Sequence, residues 1–386
     1  MRGFAPNSSG GARRSAPIDI VAPLKSIDEL TPQWLTDALG GIEVESASAE
    51  RIVGAGNGSR LYRVTMRYAV HAAGPATLIL KLPTDNAVLD RVFNSALAMR
   101  EVRFYRDFAR DGGLPVPRVY FAESDTARAG GSILMEDIDG VRTVDETSIA
   151  DSEAALTALA RLQARFWRSP LLDVPWLDGA APADLDVGGL LRDGIAVAQR
   201  LGFGDAHITR SVRIVLPVVG LAGAQPPLST RALSLCHGDF HRNNIHLYED
   251  GRVVIFDWQV VDRGNPLRDV SYWMILSLTT SLRRAHHKRL LRLYHDALAA
   301  AGVRDYGWRA AQRDYRAGVY ENLMKLFAAV AAIDADDATK RRMLERVDAA
   351  ARDHHLLAVA LLTRVLLPLR GWWLERVARR RALNAP

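Results

Sequence analysis

The chain has 386 residues, 48% of them hydrophobic and 24% charged, enough apolar material for two lobes with cores of their own. Its net charge of +6 is carried mainly by arginines spread along the whole length. That is a solvated basic surface, and no nucleic-acid-binding motif accompanies it. The single cysteine, Cys236, excludes an internal disulfide and fits a reducing cytoplasm. No apolar run follows Arg13 and Arg14, so they do not read as a secretion signal. The longest apolar stretch, residues 356–369, is broken by Arg364 and is too short for a transmembrane segment; with Trp372, Trp373 and the basic run Arg379–Arg381 a membrane-surface contact is one reading, and a docked C-terminal helix is the one preferred.

Residues 1–17, rich in Gly, Ser, Ala and Pro, read as a disordered arm. A short helix is expected from Glu29 to Leu39, ended by Gly40 and Gly41. Tyr62, Val64, Met66 and Tyr68 then alternate with Arg63, Thr65 and Arg67, the period of a half-buried strand. Thr77–Leu82 is a second strand, Ala87–Arg110 a long helix, and Val119–Ala122 and Ser132–Met135 are two further strands. After Gly140 the pattern becomes helical. Ser148 and Asp151 have capping-box spacing, and Leu156, Leu159, Leu162 and Phe166 follow at helical intervals. One hairpin interrupts the helices: Ile245–Tyr248 and Val253–Phe256, joined by Asp250–Gly251. The class is therefore α+β, a small mixed β-sheet N-lobe over residues 18–138 and a larger, mainly helical C-lobe over residues 139–386.

The chemistry concentrates in Leu235-Cys-His-Gly-Asp-Phe-His-Arg-Asn-Asn-Ile-His-Leu and, after the hairpin, Val254-Ile-Phe-Asp-Trp-Gln. Asp239 and Asn244 lie five positions apart, and Asp257 follows thirteen later. Phosphoryl transfer needs a carboxylate that takes the proton of the attacking hydroxyl, and oxygen ligands that hold Mg²⁺ against nucleotide phosphates. An Asp and an Asn in one loop, with a second Asp returned by a hairpin, supply both. Taken singly, His237-Gly238-Asp239 is also a turn, and an Asp after a strand is also a helix cap. His237, His241 and His246 raise the alternative of a transition-metal site, but they lie in a loop leading into a hairpin with no Glu in the right place, and loop-shaping hydrogen bonds are the reading preferred.

Protein kinases carry the same Asp-to-Asn gap in a His-Arg-Asp loop followed by Asp-Phe-Gly. With His237-Gly238-Asp239 and Asp257-Trp258-Gln259, this chain resembles instead the aminoglycoside phosphotransferase and choline kinase superfamily. The run Arg263-Gly-Asn-Pro-Leu-Arg-Asp269 is most similar to its ecdysteroid-kinase-like branch. The resemblance covers most of residues 50–280. It implies a bilobal protein-kinase-like fold, ATP and Mg²⁺ as cofactors, Asp239 as catalytic base, and Asn244 and Asp257 as metal ligands. It also implies that Lys81, a cation inside an apolar strand, contacts the nucleotide phosphates and pairs with Glu101 on the long helix. The inter-lobe hinge falls at Met135-Glu136-Asp137-Ile138-Asp139, where backbone groups would meet adenine.

Gly54, Gly56, Asn57, Gly58 and Ser59 form a glycine-rich turn between strands, where backbone N–H groups can approach phosphate oxygens; the same cluster suits a plain hairpin turn. Asp269 has two readings, an anchor for the backbone of the Asp239 loop or a carboxylate at a helix N-terminus. The acceptor, a small molecule with a hydroxyl, should be walled by residues after Asp151 and after Pro266. Candidates are Tyr272, Trp273, Tyr320 and Glu321, with Trp167, Trp176, Asp334, Asp336 and Asp337 behind them. The basic balance and aromatic content suit a neutral amphipathic alcohol, a sugar-bearing metabolite or an antibiotic better than a polycation. Two other readings stand behind this one. A protein kinase would carry a Ser, Thr or Tyr between Asp257 and Asp269, and none is there. A pseudokinase acting as an interaction module would be expected to lack Lys81, Asp239, Asn244 or Asp257, and all four are present.

Overall fold

Strand alternation builds the N-terminal part of the molecule. In this computed structural model residues 21–52, 59–83, 99–110, 112–125, 130–138, 142–178, 186–219 and 232–366 are described. Strands β1 (Val44–Ile52), β2 (Ser59–Tyr68), β3 (Thr77–Pro83), β4 (Val119–Asp125) and β5 (Gly130–Glu136) form one antiparallel sheet in the order β1-β2-β3-β5-β4. Tyr62, Val64, Leu78, Leu80, Leu82 and Leu134 are buried together on one face, under Leu35 of helix α1 (Pro32–Ala38). Period two sends the residues between them to the other face. Ile79, Ile133 and Met135 there meet Val102 and Phe104 of α2, which is described over residues 99–104 and continues as a π-helical turn, Tyr105–Ala109. Lys81 stands between Leu80 and Leu82 and emerges on this second face.

The expected helix from Glu29 to Leu39 is two pieces, a 3-10 turn at Ile27–Glu29 and α1 from Pro32. Pro32 disfavours helical backbone at the residue before it, and Thr31 is extended, capping α1 by accepting a hydrogen bond from the Trp34 amide at 3.1 Å. The first half of the expected helix over Ala87–Arg110 lies outside the described residues, as do the arm, the Gly54–Gly58 cluster, Asp139, Trp372 and Trp373.

The remainder is mainly helical: α3 (Ile149–Arg165), α4 (Val187–Arg200), α5 (His207–Val219), α6 (Leu267–Leu276), α7 (Thr280–Ala300), α8 (Trp308–Ala332) and α9 (Asp337–Asp353). Ser148 caps α3 through the Asp151 amide at 3.1 Å, but the Asp151 carboxylate turns to Arg142 and the Asp145 amide instead of closing the capping box. Gly318 of α8 lies so near α6 that a Cβ there would be 2.9 Å from Arg268 Cα, and Gly194 of α4 is as tightly set against the Phe327 carbonyl of α8.

More strand is present in this part than the hairpin alone. β6 (Arg142–Thr143) joins β8 (Ile245–Leu247) and β9 (Val253–Ile255), and β7 (Ser234–Cys236) pairs with β10 (Asp262–Gly264). Three-residue strands, buried throughout in β7 and β9, carry no readable alternation. Their effect is to fasten both ends of one segment. The chain leaves β7 at Cys236, makes the Asp239 loop and the hairpin, passes Asp257, and returns beside its start with Asp262 opposite Cys236.

Candidate active site

A buried carboxylate fixes the entrance to the Asp239 loop. Asp269, one turn into α6 and fully buried, accepts hydrogen bonds from the His237 amide at 2.7 Å, the Gly238 amide at 2.9 Å and Gln163 Nε2 at 3.0 Å. Both of its sequence readings are realised: it anchors the loop, and it lies in the first turn of α6. Gln163 is held in turn by the Tyr294 hydroxyl. Burial pushes the Asp269 carboxyl up to about 6, against the pull of Arg268 and the two amides. Gly238 has a φ of +81°, and a Cβ there would lie 2.4 Å from the Val260 carbonyl oxygen, so only glycine fits.

His237 is a buried strut. Its Nδ1 accepts from the Asp239 amide at 3.2 Å and its Nε2 lies 2.9 Å from the Phe256 carbonyl, which fixes the proton on Nε2. Burial lowers its pKa to about 4, so the ring is neutral. It ties the Asp239 loop to the strand that delivers Asp257. His246 packs edge-on against Phe256 at 4.8 Å. Among the described residues no three His, Cys, Asp or Glu side chains form a metal-holding group.

Asp239 is held on both carboxylate oxygens. The Tyr272 hydroxyl of α6 donates to Oδ1, while His241 Nε2 and Asn244 Nδ2 each stand 3.3 Å from Oδ2. Burial pushes this carboxyl up, but His241, Lys325 and Tyr272 outweigh it and hold Asp239 well below the ordinary carboxylate range. The same pair raises the His241 ring, with Asp239 overcoming the burial that opposes a charge there. Asp239 is thus an ionised carboxylate, a third exposed, facing the cleft.

The sheet contributes the other half. Lys81 Nζ lies 2.6 Å from Glu101 Oε2 and 3.0 Å from Asp257 Oδ1, bridging α2 and the C-terminal part of the molecule. Burial disfavours the ammonium, but the two carboxylates more than offset it and raise the Lys81 pKa. Glu101 also accepts from the Trp258 amide at 3.3 Å, and Trp258 stacks on Phe104 with ring centroids 3.9 Å apart. Asp257 itself has a φ of +66°, rare for a residue with a side chain and typical of functional positions. Ser59 Oγ accepts from Gln259 Nε2 at 2.7 Å, closing the sheet onto the Asp257 segment.

Asn244 and Asp257 suit a hard cation. Asn244 spends its Nδ2 on Asp239, at 3.0 Å from the backbone oxygen, and among the described residues nothing donates to its Oδ1. Asp257 keeps Oδ2 beside the oxygen that Lys81 holds, and a third of its side chain is exposed. Two uncommitted oxygens of these types are what Mg²⁺ takes, together with phosphate oxygens and water.

The remaining expected residues are placed as follows. Met135 pairs with Ile79 and Val119 in the sheet. The Glu136 amide donates to the Arg118 carbonyl at 2.8 Å, and its carboxylate accepts from the Tyr248 hydroxyl of the hairpin at 3.2 Å. Ile138 is half-buried after them. Tyr272 is at Asp239, but Trp273, a third of a helical turn further on, is fully buried 5.2 Å from Phe240 and is core, not cleft wall. Tyr320 donates to the His354 carbonyl at 3.2 Å, and Glu321 lies 3.1 Å from Arg268, which also holds Asp262. Trp167 packs on Tyr306 and Trp176 on Phe108. Asp336 caps α9, and Asp337 pairs with Arg200 at 2.6 Å. Sequence reasoning missed Lys325 of α8, which donates to the Gly238 carbonyl, and the pairing of His241 with Asp239. The stretch Glu321-Asn-Leu-Met-Lys325 carries no signal beyond an amphipathic helix; the four-residue spacing of His237 and His241 was there but spoke for a metal.

A sheet that presents a paired lysine, above a helical part that presents two aspartates and an asparagine on a fastened loop, defines a kinase-like phosphotransferase architecture. Residues 63–312 match the phosphotransferase enzyme family (APH), and the chain belongs to that family. A microcompartment-associated aminopropanol kinase has a similar fold, with a TM-score of 0.50 and 13% identity over 86% of this chain and 99% of that one. An ethanolamine kinase of Plasmodium vivax (TM-score 0.49, 12% identity, 81% and 85% covered) and choline kinase LicA from Streptococcus pneumoniae (0.46, 13%, 83% and 98%) are also similar. No curated protein matches the chain by sequence. No helix among the described residues is long and apolar enough to cross a membrane.

Proposed function

We propose that this phosphotransferase moves the γ-phosphate of ATP to a hydroxyl of a small molecule. The observation that carries the reading is the convergence of Lys81, Glu101 and Asp257 in one ion-paired cluster, on a segment that His237 ties to Asp239. Lys81 holds the nucleotide phosphates and is itself oriented by Glu101. The backbone around Met135, Glu136 and Ile138 borders the adenine. Asn244 Oδ1 and Asp257 hold Mg²⁺, which when bound offsets the negative charge of the phosphate oxygens.

Asp239 takes the acceptor O–H as its hydrogen-bond donor. As the acceptor oxygen forms its bond to the γ-phosphorus, the bond to the bridging oxygen of ADP breaks and the proton passes to Asp239. Its low pKa makes Asp239 an orienting acceptor more than a strong base, which suits a transition state with little bond formation to the nucleophile. Tyr272 is the described aromatic side chain nearest the incoming hydroxyl, since it already bonds Asp239.

On the acceptor side, Glu321 is committed to Arg268, Asp336 to its helix cap and Asp337 to Arg200. This favours a neutral amphipathic or sugar-bearing alcohol, an antibiotic among them, over a polycation. The finer kinship with the ecdysteroid-kinase-like branch rests on the 263–269 run, and the reducing cytoplasm on the lone buried Cys236. The test is Mg²⁺-dependent ADP release across a panel of alcohols, with Asp239→Ala as control. Stimulation by one compound, reduced by at least about 100-fold in the variant, is expected. Equal turnover by Asp239→Ala would remove the assignment.

A further inference from the structure

The backbone that leads into Asp239 is held from two helices. Asp269 of α6 accepts from the His237 and Gly238 amides of the two preceding peptide units, while the Gly238 carbonyl is bonded by Lys325 Nζ of α8. The ammonium also lies 5.2 Å from the centre of the Tyr272 ring, and Tyr272 is the residue whose hydroxyl donates to Asp239 Oδ1. Lys325 therefore touches both the backbone before Asp239 and the side chain that holds its carboxylate.

Helix docking does not require this contact. α8 is already fixed to α6 by Asn322 Nδ2, which donates to the Arg268 carbonyl and to Ser271 Oγ, both at 2.8 Å, and by the close approach at Gly318. Lys325 itself is an exposed residue, and a long side chain held in one geometry at the surface gives up rotamer freedom. Gly238, by contrast, has no side chain to hold it, and its φ of +81° is kept by the contacts of its backbone. With its carbonyl released, the Gly238–Asp239 peptide would be held only through the Asp239 amide, at 3.2 Å from His237 Nδ1, and the carboxylate that follows would be less firmly placed. Charged neighbours surround the pair on every side: His241 and Asp257 from the loop and hairpin, Asp262 from β10, Arg268 and Asp269 from α6, and Glu321 from α8. Glu321 and Asp262 are taken by Arg268, which leaves Lys325 to the loop.

We propose that Lys325 is a positioning residue for phosphoryl transfer: by bonding the Gly238 carbonyl and lying against Tyr272, it fixes Asp239 at the acceptor hydroxyl. The inference rests on the function proposed above and adds a residue to it.

Two measurements test it on the full chain. The first is amide hydrogen exchange without nucleotide, comparing the parent with Lys325→Met. Faster exchange is expected at Asp239 and its neighbours in the loop, with α6 and α8 unchanged. The second is steady-state hydrolysis of MgATP with water as acceptor, in which the γ-phosphoryl group leaves ADP for a water oxygen and the proton goes to Asp239. Lys325→Met should lower kcat by about 10- to 100-fold with KM for ATP within about twofold, and Lys325→Arg, which keeps a donor, should recover most of kcat. Unchanged loop exchange in Lys325→Met would overturn the proposal, as would a loss of activity that follows a lowered melting temperature and that arginine does not rescue. Asp239→Ala run alongside separates the two levels. If it hydrolyses MgATP like the parent, the underlying functional reading fails; if it is inactive while Lys325→Met is normal, only the Lys325 proposal does.

Discussion

Lys81 and Glu101 are each almost fully enclosed, at 11% and 2% side-chain exposure, so each exists as a charge because the other is present. Replacing Lys81 by Ala strands Glu101 and leaves Asp257 without its partner. A loss of about 3 kcal/mol is expected in urea unfolding, and Glu101→Gln should cost less because it keeps the shape and removes the charge. A pH effect belongs at the same scale. His237 titrates near 4 in the fold against 6.5 when free, because burial disfavours its charged form. It contributes stability that is complete above pH 6.5 and is lost as pH falls toward 4, on the order of 3 kcal/mol. Asp269 has the opposite sign: burial raises it to about 6 from 3.8, so its contribution grows as pH falls through that window. The two offset each other in the parent. Asp269→Asn should remove the compensation, and its urea midpoint should fall more steeply from pH 6.5 to 4 than that of the parent.

Close helix approach decides the C-terminal part. Gly318→Ala forces a methyl group against Arg268 Cα and Ser271 Oγ, both 2.9 Å from the added carbon, and should destabilise by about 1–3 kcal/mol in urea unfolding. Gly238→Ala has a second penalty, since its φ of +81° is unfavourable for a side chain as well. Its expected result is loss of MgATP hydrolysis beyond the loss of stability. The elements legible in the sequence were the regular and longer ones. Strand β2 announced itself by alternation, β3 by its short apolar run, the hairpin by Asp250–Gly251, and α3 by Ser148 and its leucine spacing. The short strands β6, β7 and β10 were not, because two or three residues carry no period and their pairing partners lie far away in sequence.

Across the whole molecule, the sheet reaches the Asp257 segment through Lys81 and through the Gln259–Ser59 bond, and α2 reaches it through Arg100, which donates to the Val261 carbonyl at 2.8 Å. A nucleotide held between the two parts binds the folded state alone and should raise the melting temperature of the chain, by the equivalent of about 2.7 kcal/mol at 100 times its Kd. Lys81→Met should abolish that shift, whereas Asp239→Ala should largely keep it, and thermal unfolding with and without MgATP distinguishes the two.

The amino-acid order determined which groups are available to the chemistry. The five- and thirteen-residue spacings of Asp239, Asn244 and Asp257, and a lysine inside an apolar strand, are local facts that survive without any tertiary structure. Which groups meet across long stretches of chain was decided only by folding. Lys325 reaches the Gly238 carbonyl across 87 positions, Lys81 reaches Asp257 across 176, and neighbouring Tyr272 and Trp273 part, one to the carboxylate and the other to the core. The physical reason is that a helix face is chosen by what packs against it. Periodicity shows that a face exists, while the partner helix and the loop it encloses determine which side chain lands at the site.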